Sequence, residues 1–181
     1  MTDNRDSLEA EQRLIGQQRR DPATVQERLL PWLKSQYPQA SHIELPLPVP
    51  PTGGGSSDSF FITPMVHIDG GAETLPMVLR IEPCSRRIYE QRSIERQYGV
   101  MKSLHDLSAA PVPKMLALEP NKALFGEAFL VMERIAGDVP HDRYHAEGLL
   151  VDAAPAQRTA IWNNFIDAMA GLHRTDAKAF A

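Results

Sequence analysis

The sequence predicts an α+β fold, a small antiparallel sheet with one helix inserted after its third strand, followed by a linker and a further helix. Three observations predict it. Strand-like runs, Phe60-Phe61-Ile62 and Met77-Val78-Leu79-Arg80, flank a hairpin-type turn at Ile68-Asp69-Gly70-Gly71. Residues 86–107 carry Ile94, Tyr98, Met101 and Leu104 at helical spacing with no proline before Pro111. Residues 156–173 place Ile161, Phe165, Ala168, Met169 and Leu172 on one helical face.

Taken in order, residues 1–20 are polar and form a tail or a short amphipathic helix. Asp21-Pro22 is a helix start, a capping carboxylate followed by a proline that needs no N–H partner there. Val25, Leu29, Leu30 and Leu33 keep helical spacing, with a kink expected at Pro31 and an end by Tyr37-Pro38. Residues 42–47 form an edge strand, because Pro46, Pro48, Pro50 and Pro51 cannot donate to a central ladder.

A loop of Gly53, Gly54, Gly55, Ser56 and Ser57 follows, free to bring backbone close to a ligand. On the returning strand, a period of two puts Val78 and Arg80 on one face and Met77 and Leu79 on the other. A Gly/Ser loop with a cation on the next strand suits a polyphosphate; the plain alternative is a glycine-rich hairpin with a solvent-facing arginine. Beyond the helix, residues 114–118 and 128–135 are the fourth and fifth strands, and Gly137 ends the latter. Nothing in the chain is obviously available to pack on the face of the last helix, and a missing C-terminal part is expected from that imbalance.

Composition limits the function. The 181 residues carry 43% apolar and 23% charged side chains, as an ordinary globular protein does. A net charge of −4 argues against a general nucleic-acid binder, while the basic residues between Arg80 and Lys102 suit a local anion. Cys84 is the single cysteine, so neither an intrachain disulfide nor a multi-cysteine metal site can form. His42, His67, His105, His141 and His145 have no metal-ligand spacing, and His173 is expected to be structural at a helix end. No apolar run reaches the ~18–20 residues of a membrane span, and the N-terminus lacks an apolar signal core. A cytoplasmic protein is expected.

Five pieces in order resemble the aminoglycoside phosphotransferase and choline-kinase-like family, including its acyl-CoA-dehydrogenase-associated branch, within the protein-kinase-like fold. They are Gly54-Gly55-Ser56-Ser57-Asp58, with aspartate where the family has asparagine; Met77-Val78-Leu79-Arg80; Ala110-Pro111-Val112-Pro113-Lys114; Gly126 through Phe129 to Met132-Glu133; and Leu172-His173-Arg174-Thr175-Asp176. The resemblance implies a kinase-like N-lobe over residues 21–137, a five-stranded antiparallel sheet with one packed helix. Residues 138–181 would then be a linker and the first helix of an incomplete helical C-lobe.

By that resemblance Gly54, Gly55, Ser56 and Ser57 cover nucleotide phosphates, Arg80 touches the α- and β-phosphates, and Val78 roofs the adenine. Met132 stands at the gate of the adenine pocket, and Glu133 through Ile135 form the hinge that pairs with the adenine edge. The helix residue orienting Arg80 falls on Gln97, with Glu95 two residues away on another helical face. A neutral amide lacks the charge-assisted strength of a carboxylate in that role. The family's His-Gly-Asp catalytic loop and metal-binding aspartate are expected beyond Asp176, so no catalytic base or metal ligand is assigned here. The implied activity is transfer of the γ-phosphoryl of ATP or GTP, with Mg, to a hydroxyl of a small molecule. Antibiotic, choline-like, sugar and hydroxyacyl acceptors all fit, and the alternative is a non-catalytic module that binds a nucleotide or a partner.

Overall fold

Helix α1, Pro22–Gln36, lies across one face of the strands and buries Val25, Leu29 and Leu33. Its start is capped as the sequence predicts: the Asp21 carboxylate accepts from the Thr24 N–H at 2.9 Å and from the Thr24 hydroxyl at 3.0 Å. Those bonds hold the Asp21 carboxyl below its usual range. Pro31 lies inside the helix, which continues to Gln36. The computed structural model describes residues 20–51, 58–83, 93–139 and 146–180.

Among the described residues seven strands follow, in two antiparallel sheets. β1 (His42–Glu44), β3 (Met65–Ile68) and β4 (Gly71–Thr74) form one, in the order β1-β3-β4. β2 (Asp58–Ile62), β5 (Met77–Ile81), β7 (Phe129–Glu133) and β6 (Met115–Glu119) form the other, in the order β2-β5-β7-β6. The expected single five-stranded sheet is therefore corrected to sheets of three and four strands.

Prolines explain the division. Thr63-Pro64 separates β2 from β3, and Leu75-Pro76 separates β4 from β5. Neither proline has an N–H for the ladder, so regular pairing lapses on both strands at the same level. The Leu75 N–H donates to the Pro64 carbonyl at 2.9 Å and spans the gap. The hairpin turn at Asp69-Gly70 joins β3 to β4, with φ of 50° and 81°, as a two-residue turn between twisted strands requires. β1 is shorter than the expected 42–47. Pairing resumes beyond its prolines at Val49, which exchanges both backbone bonds with Phe61 at 2.9 and 2.8 Å.

One core lies between α1 and the sheets: Val25, Leu29 and Leu33 meet Phe60, Ile62, Val66, Met77, Leu79, Ile81, Phe129 and Val131. A smaller cluster on the other face packs α2 (Ile94–Asp106) through Ile94 onto Ala128 and Leu130, with Tyr98, Leu118 and Met132 around it. The expected helix over 86–107 is observed from Ile94, and its residues 86–92 lie outside the described part. Three polar tethers also fasten α1. The Trp32 indole donates to Glu119 at 3.0 Å, Gln26 to the Leu45 carbonyl at 2.6 Å, and Arg28 to the Leu124 carbonyl at 3.2 Å.

Beyond the sheets come a short helix α3 (Leu149–Asp152), α4 (Pro155–His173) and a 3-10 turn at Ala177–Phe180. The expected helix over 156–173 is present, and it buries no residue; Trp162, Phe165, Ile166, Met169 and Leu172 are exposed. Gly171 lets its backbone approach the segment after α2, since a Cβ there would stand 2.3 Å from the Ala109 carbonyl oxygen.

Leu29 is fully buried between α1 and the sheet. Leu29→Ala is expected to lower stability by about 2–5 kcal/mol, measured by urea denaturation. A change within about 0.5 kcal/mol, the range of surface substitutions, would show that α1 is not the cover of this core.

Candidate functional site

The described residues cover the second face of the four-stranded sheet only in part. α2 covers the β6–β7 side, and the β2–β5 side keeps a row of half-buried side chains. Phe61 on β2, Val78 on β5 and Met132 on β7 stand directly opposite one another across the ladder. All three are half-buried, whereas Met77 and Leu79, on the opposite face, are buried. The expected sharing of one face by Val78 and Arg80 is thus the observed alternation.

Two residues along β5, Arg80 stands between Ser59 on β2 and Leu130 on β7. It is half-buried, with its Nε inside the packing. Two residues of strand span about 7 Å, so an apolar row and a cationic position lie side by side on one face. At the other end of β7 the ladder closes through two backbone bonds. The Glu133 N–H donates to the Lys114 carbonyl at 2.9 Å and the Arg134 N–H to the Pro76 carbonyl at 3.1 Å. The chain then leaves the sheet at Ile135, which is 62% exposed. The Arg134 guanidinium returns over the Phe61 ring at 4.2 Å from its centroid, a cation–π contact bordering the apolar row.

Val78, Arg80, Met132 and the Glu133–Ile135 backbone therefore share one region of the structure. Gly54, Gly55, Ser56 and Ser57 lie outside the described residues. The two candidates for orienting Arg80 are engaged elsewhere. Glu95 accepts from the Ser93 hydroxyl at the start of α2, which also caps the Arg96 N–H. The Gln97 amide donates to the Met101 sulfur at 3.8 Å. The Ser93 hydroxyl, and then the Glu95 backbone N–H, hold the Glu95 carboxyl below its usual range. Among the described residues no three His, Cys, Asp or Glu side chains gather as a metal site.

Sequence reasoning read Phe61 as a strand residue only and Arg134 as hinge backbone only, although the period of two already put Phe61 opposite to the buried Phe60 and Ile62. It passed over Arg20, whose Nη1 lies 2.6 Å from the buried Asp58 carboxylate. The one signal there was the aspartate that replaces the motif's asparagine at position 58.

The model of the phosphotransferase enzyme family matches residues 49–181, well over half of the chain. The chain belongs to that family. A solved structure from Ralstonia eutropha, put forward as an aminoglycoside phosphotransferase, superposes with a TM-score of 0.57 at 27% identity. The match covers 86% of this phosphotransferase-family chain and 40% of that one. A probable acyl-CoA dehydrogenase of Arabidopsis thaliana is 29% identical over 127 residues, 70% of the chain and 14% of the relative. Acyl-CoA dehydrogenase family member 11 of Rattus norvegicus is 32% identical over 99 residues, 55% of the chain and 12% of the relative. The chain thus spans a small part of the length of the curated relatives it matches. No helix among the described residues is long and apolar enough to cross a membrane.

Because its carboxyl is depressed in the folded state, Glu95 stabilises α2 above the usual glutamate pKa and loses that contribution as pH falls through the depressed value. Glu95→Gln is expected to lessen the drop in stability between pH 7 and about pH 3. Denaturation of both proteins at the two pH values measures it, and an unchanged drop would show that the Ser93 contact is not made in solution.

Proposed function

We propose that this chain is the nucleotide-binding part of a phosphotransferase that passes the γ-phosphoryl of ATP or GTP, with Mg, to a hydroxyl group of a small molecule. The observation that carries the reading is the paired arrangement on one sheet face. The apolar row of Phe61, Val78 and Met132 lies beside Arg80 and ends at the backbone of Glu133–Ile135. A flat base suits the apolar row, and the Ile135 backbone, beyond the bonds that Glu133 and Arg134 donate to Lys114 and Pro76, would offer an amide and a carbonyl to its edge. Phosphates directed along β5 would meet the Arg80 guanidinium, a planar fork matched to phosphate oxygens. Gly54, Gly55, Ser56 and Ser57 would cover those phosphates from the preceding loop. Val78 would roof the base and Met132 would set the depth of its pocket. Residues 21–137 form the nucleotide lobe in this reading, and 138–181 begin the second.

Phosphoryl transfer depends on positioning and on electrostatic stabilisation of the transferred group. This chain would supply the positioning. The 181 residues contain no His-Gly-Asp sequence, and in this reading none of them is assigned as the base that accepts the hydroxyl proton. Magnesium, when bound, would neutralise charge on the phosphates. Among acceptor classes, a hydroxyl on an acyl chain is the one favoured by the acyl-CoA dehydrogenase names of the relatives.

Calorimetric titration of full-length protein with MgATP tests the arrangement. Arg80→Ala is expected to weaken binding by about tenfold or more, and Arg80→Lys by less, since lysine keeps the charge but loses the fork. Equal affinity in all three proteins would leave Arg80 outside the site.

The isolated 181-residue chain is expected to show no phosphoryl transfer against a panel of hydroxyl acceptors with MgATP. Turnover proportional to the amount of purified chain would overturn the placement of the catalytic base.

A further inference from the structure

We propose that the Arg20–Asp58 ion pair is a positioning device for the phosphate end of the nucleotide face, linking it to the segment that precedes α1. The inference rests on the nucleotide reading above. Asp58 is 6% exposed and is the one buried charged or polar side chain among the described residues. It opens β2, directly after the Gly/Ser loop in the sequence, and pairs with Ile81 at the end of β5. The next pair in the ladder is Ser59 with Arg80.

By alternation, Asp58 points to the α1 side with Phe60 and Ile62, while Ser59 and Arg80 belong to the other face. The carboxylate therefore cannot touch a ligand on Arg80's face. What it can hold is the backbone. The Arg20 Nη1 donates to its Oδ2 at 2.6 Å, and the Arg20 Nη2 donates to the Phe125 carbonyl at 3.1 Å. One guanidinium thus joins three separate pieces of chain, the start of α1, the start of β2 and the turn between β6 and β7. Arg20 is itself restrained, since the next residue, Asp21, caps α1.

An ion pair this deeply buried, with side chains 15% and 7% exposed, adds little net stability, because desolvation of both charges offsets their attraction. Apolar residues of similar volume usually replace such a pair without loss. Its value here is geometric. The ladder sets the register of β2 on β5. The charged bond, with its strict distance and direction, sets how the first residue of β2 sits against the start of α1 and the β6–β7 turn. Through the adjoining backbone it sets where Ser59 stands beside Arg80. An apolar contact at the same place would hold that end with less directional constraint. Arg20 and Asp58 act through the β2 backbone and are positioning residues.

The test separates this role from simple stabilisation. In full-length protein, the double substitution Arg20→Met with Asp58→Leu removes both charges and keeps the volume. The expected result is a thermal midpoint within a few degrees of the parent and MgATP affinity about tenfold or more weaker by calorimetry. Arg20→Lys, which retains the charge but not the two-pronged contact, serves where the double variant does not fold. It is expected to lose about threefold or more in affinity at a nearly unchanged midpoint. Parental affinity in a folded double variant, or in Arg20→Lys, overturns the inference and leaves the nucleotide reading intact. A parent protein that does not bind MgATP overturns both.

Discussion

Strand β5 is the constraint on which the rest of this structure depends. It is paired on both edges, with β2 on one side and β7 on the other, so its backbone cannot shift without breaking two ladders. Its period of two then commits every side chain to a face. Met77, Leu79 and Ile81 go to the α1 side and are buried, and Val78 and Arg80 go to the opposite side and are not. A slip of one residue would put Arg80 into the apolar core and Leu79 on the open face. The cost of burying a charged guanidinium among apolar side chains forbids that slip.

The two faces are finished differently. α1 closes the first with an apolar stripe and with polar tethers that reach β6, the segment after β1 and the β6–β7 turn. Those bonds are directional and add to an apolar contact that is not. α2 closes only the β6–β7 side of the second face. The remaining strip is neither a core nor an ordinary surface. Its side chains are half-buried, it is bordered by the Arg134–Phe61 contact, and it ends at backbone that has left the ladder. Partial cover of that kind leaves a mixed surface, apolar along Phe61, Val78 and Met132 and cationic at Arg80.

Helix α4 stands apart from both cores. Its apolar residues are exposed, and Gly171 marks a close approach to the segment after α2 at Ala109. The solved relative from Ralstonia eutropha is more than twice as long as the part that this chain matches. The apolar area of Trp162, Phe165 and Ile166 is costly to leave in water.

Local chemistry in the sequence determined much of this protein. The Asp21-Pro22 start, the stripe of Val25, Leu29 and Leu33, the Asp69-Gly70 turn and the alternation along Met77–Ile81 depend on neighbouring residues, and each was legible for that reason. The grouping of Val78, Arg80, Met132 and Glu133 was legible through ordered motifs and the strand period. The tertiary structure alone decided the division into two sheets, because paired breaks at Pro64 and Pro76 matter only once the strands carrying them are side by side. It also decided the partners of single charged groups. Glu95 turned to Ser93, Arg134 to Phe61, and Arg20 crossed 38 positions of sequence to Asp58. A side-chain bond between distant segments leaves no periodicity behind. Only the fold, by fixing the distance and removing the water between them, decides which charge meets which.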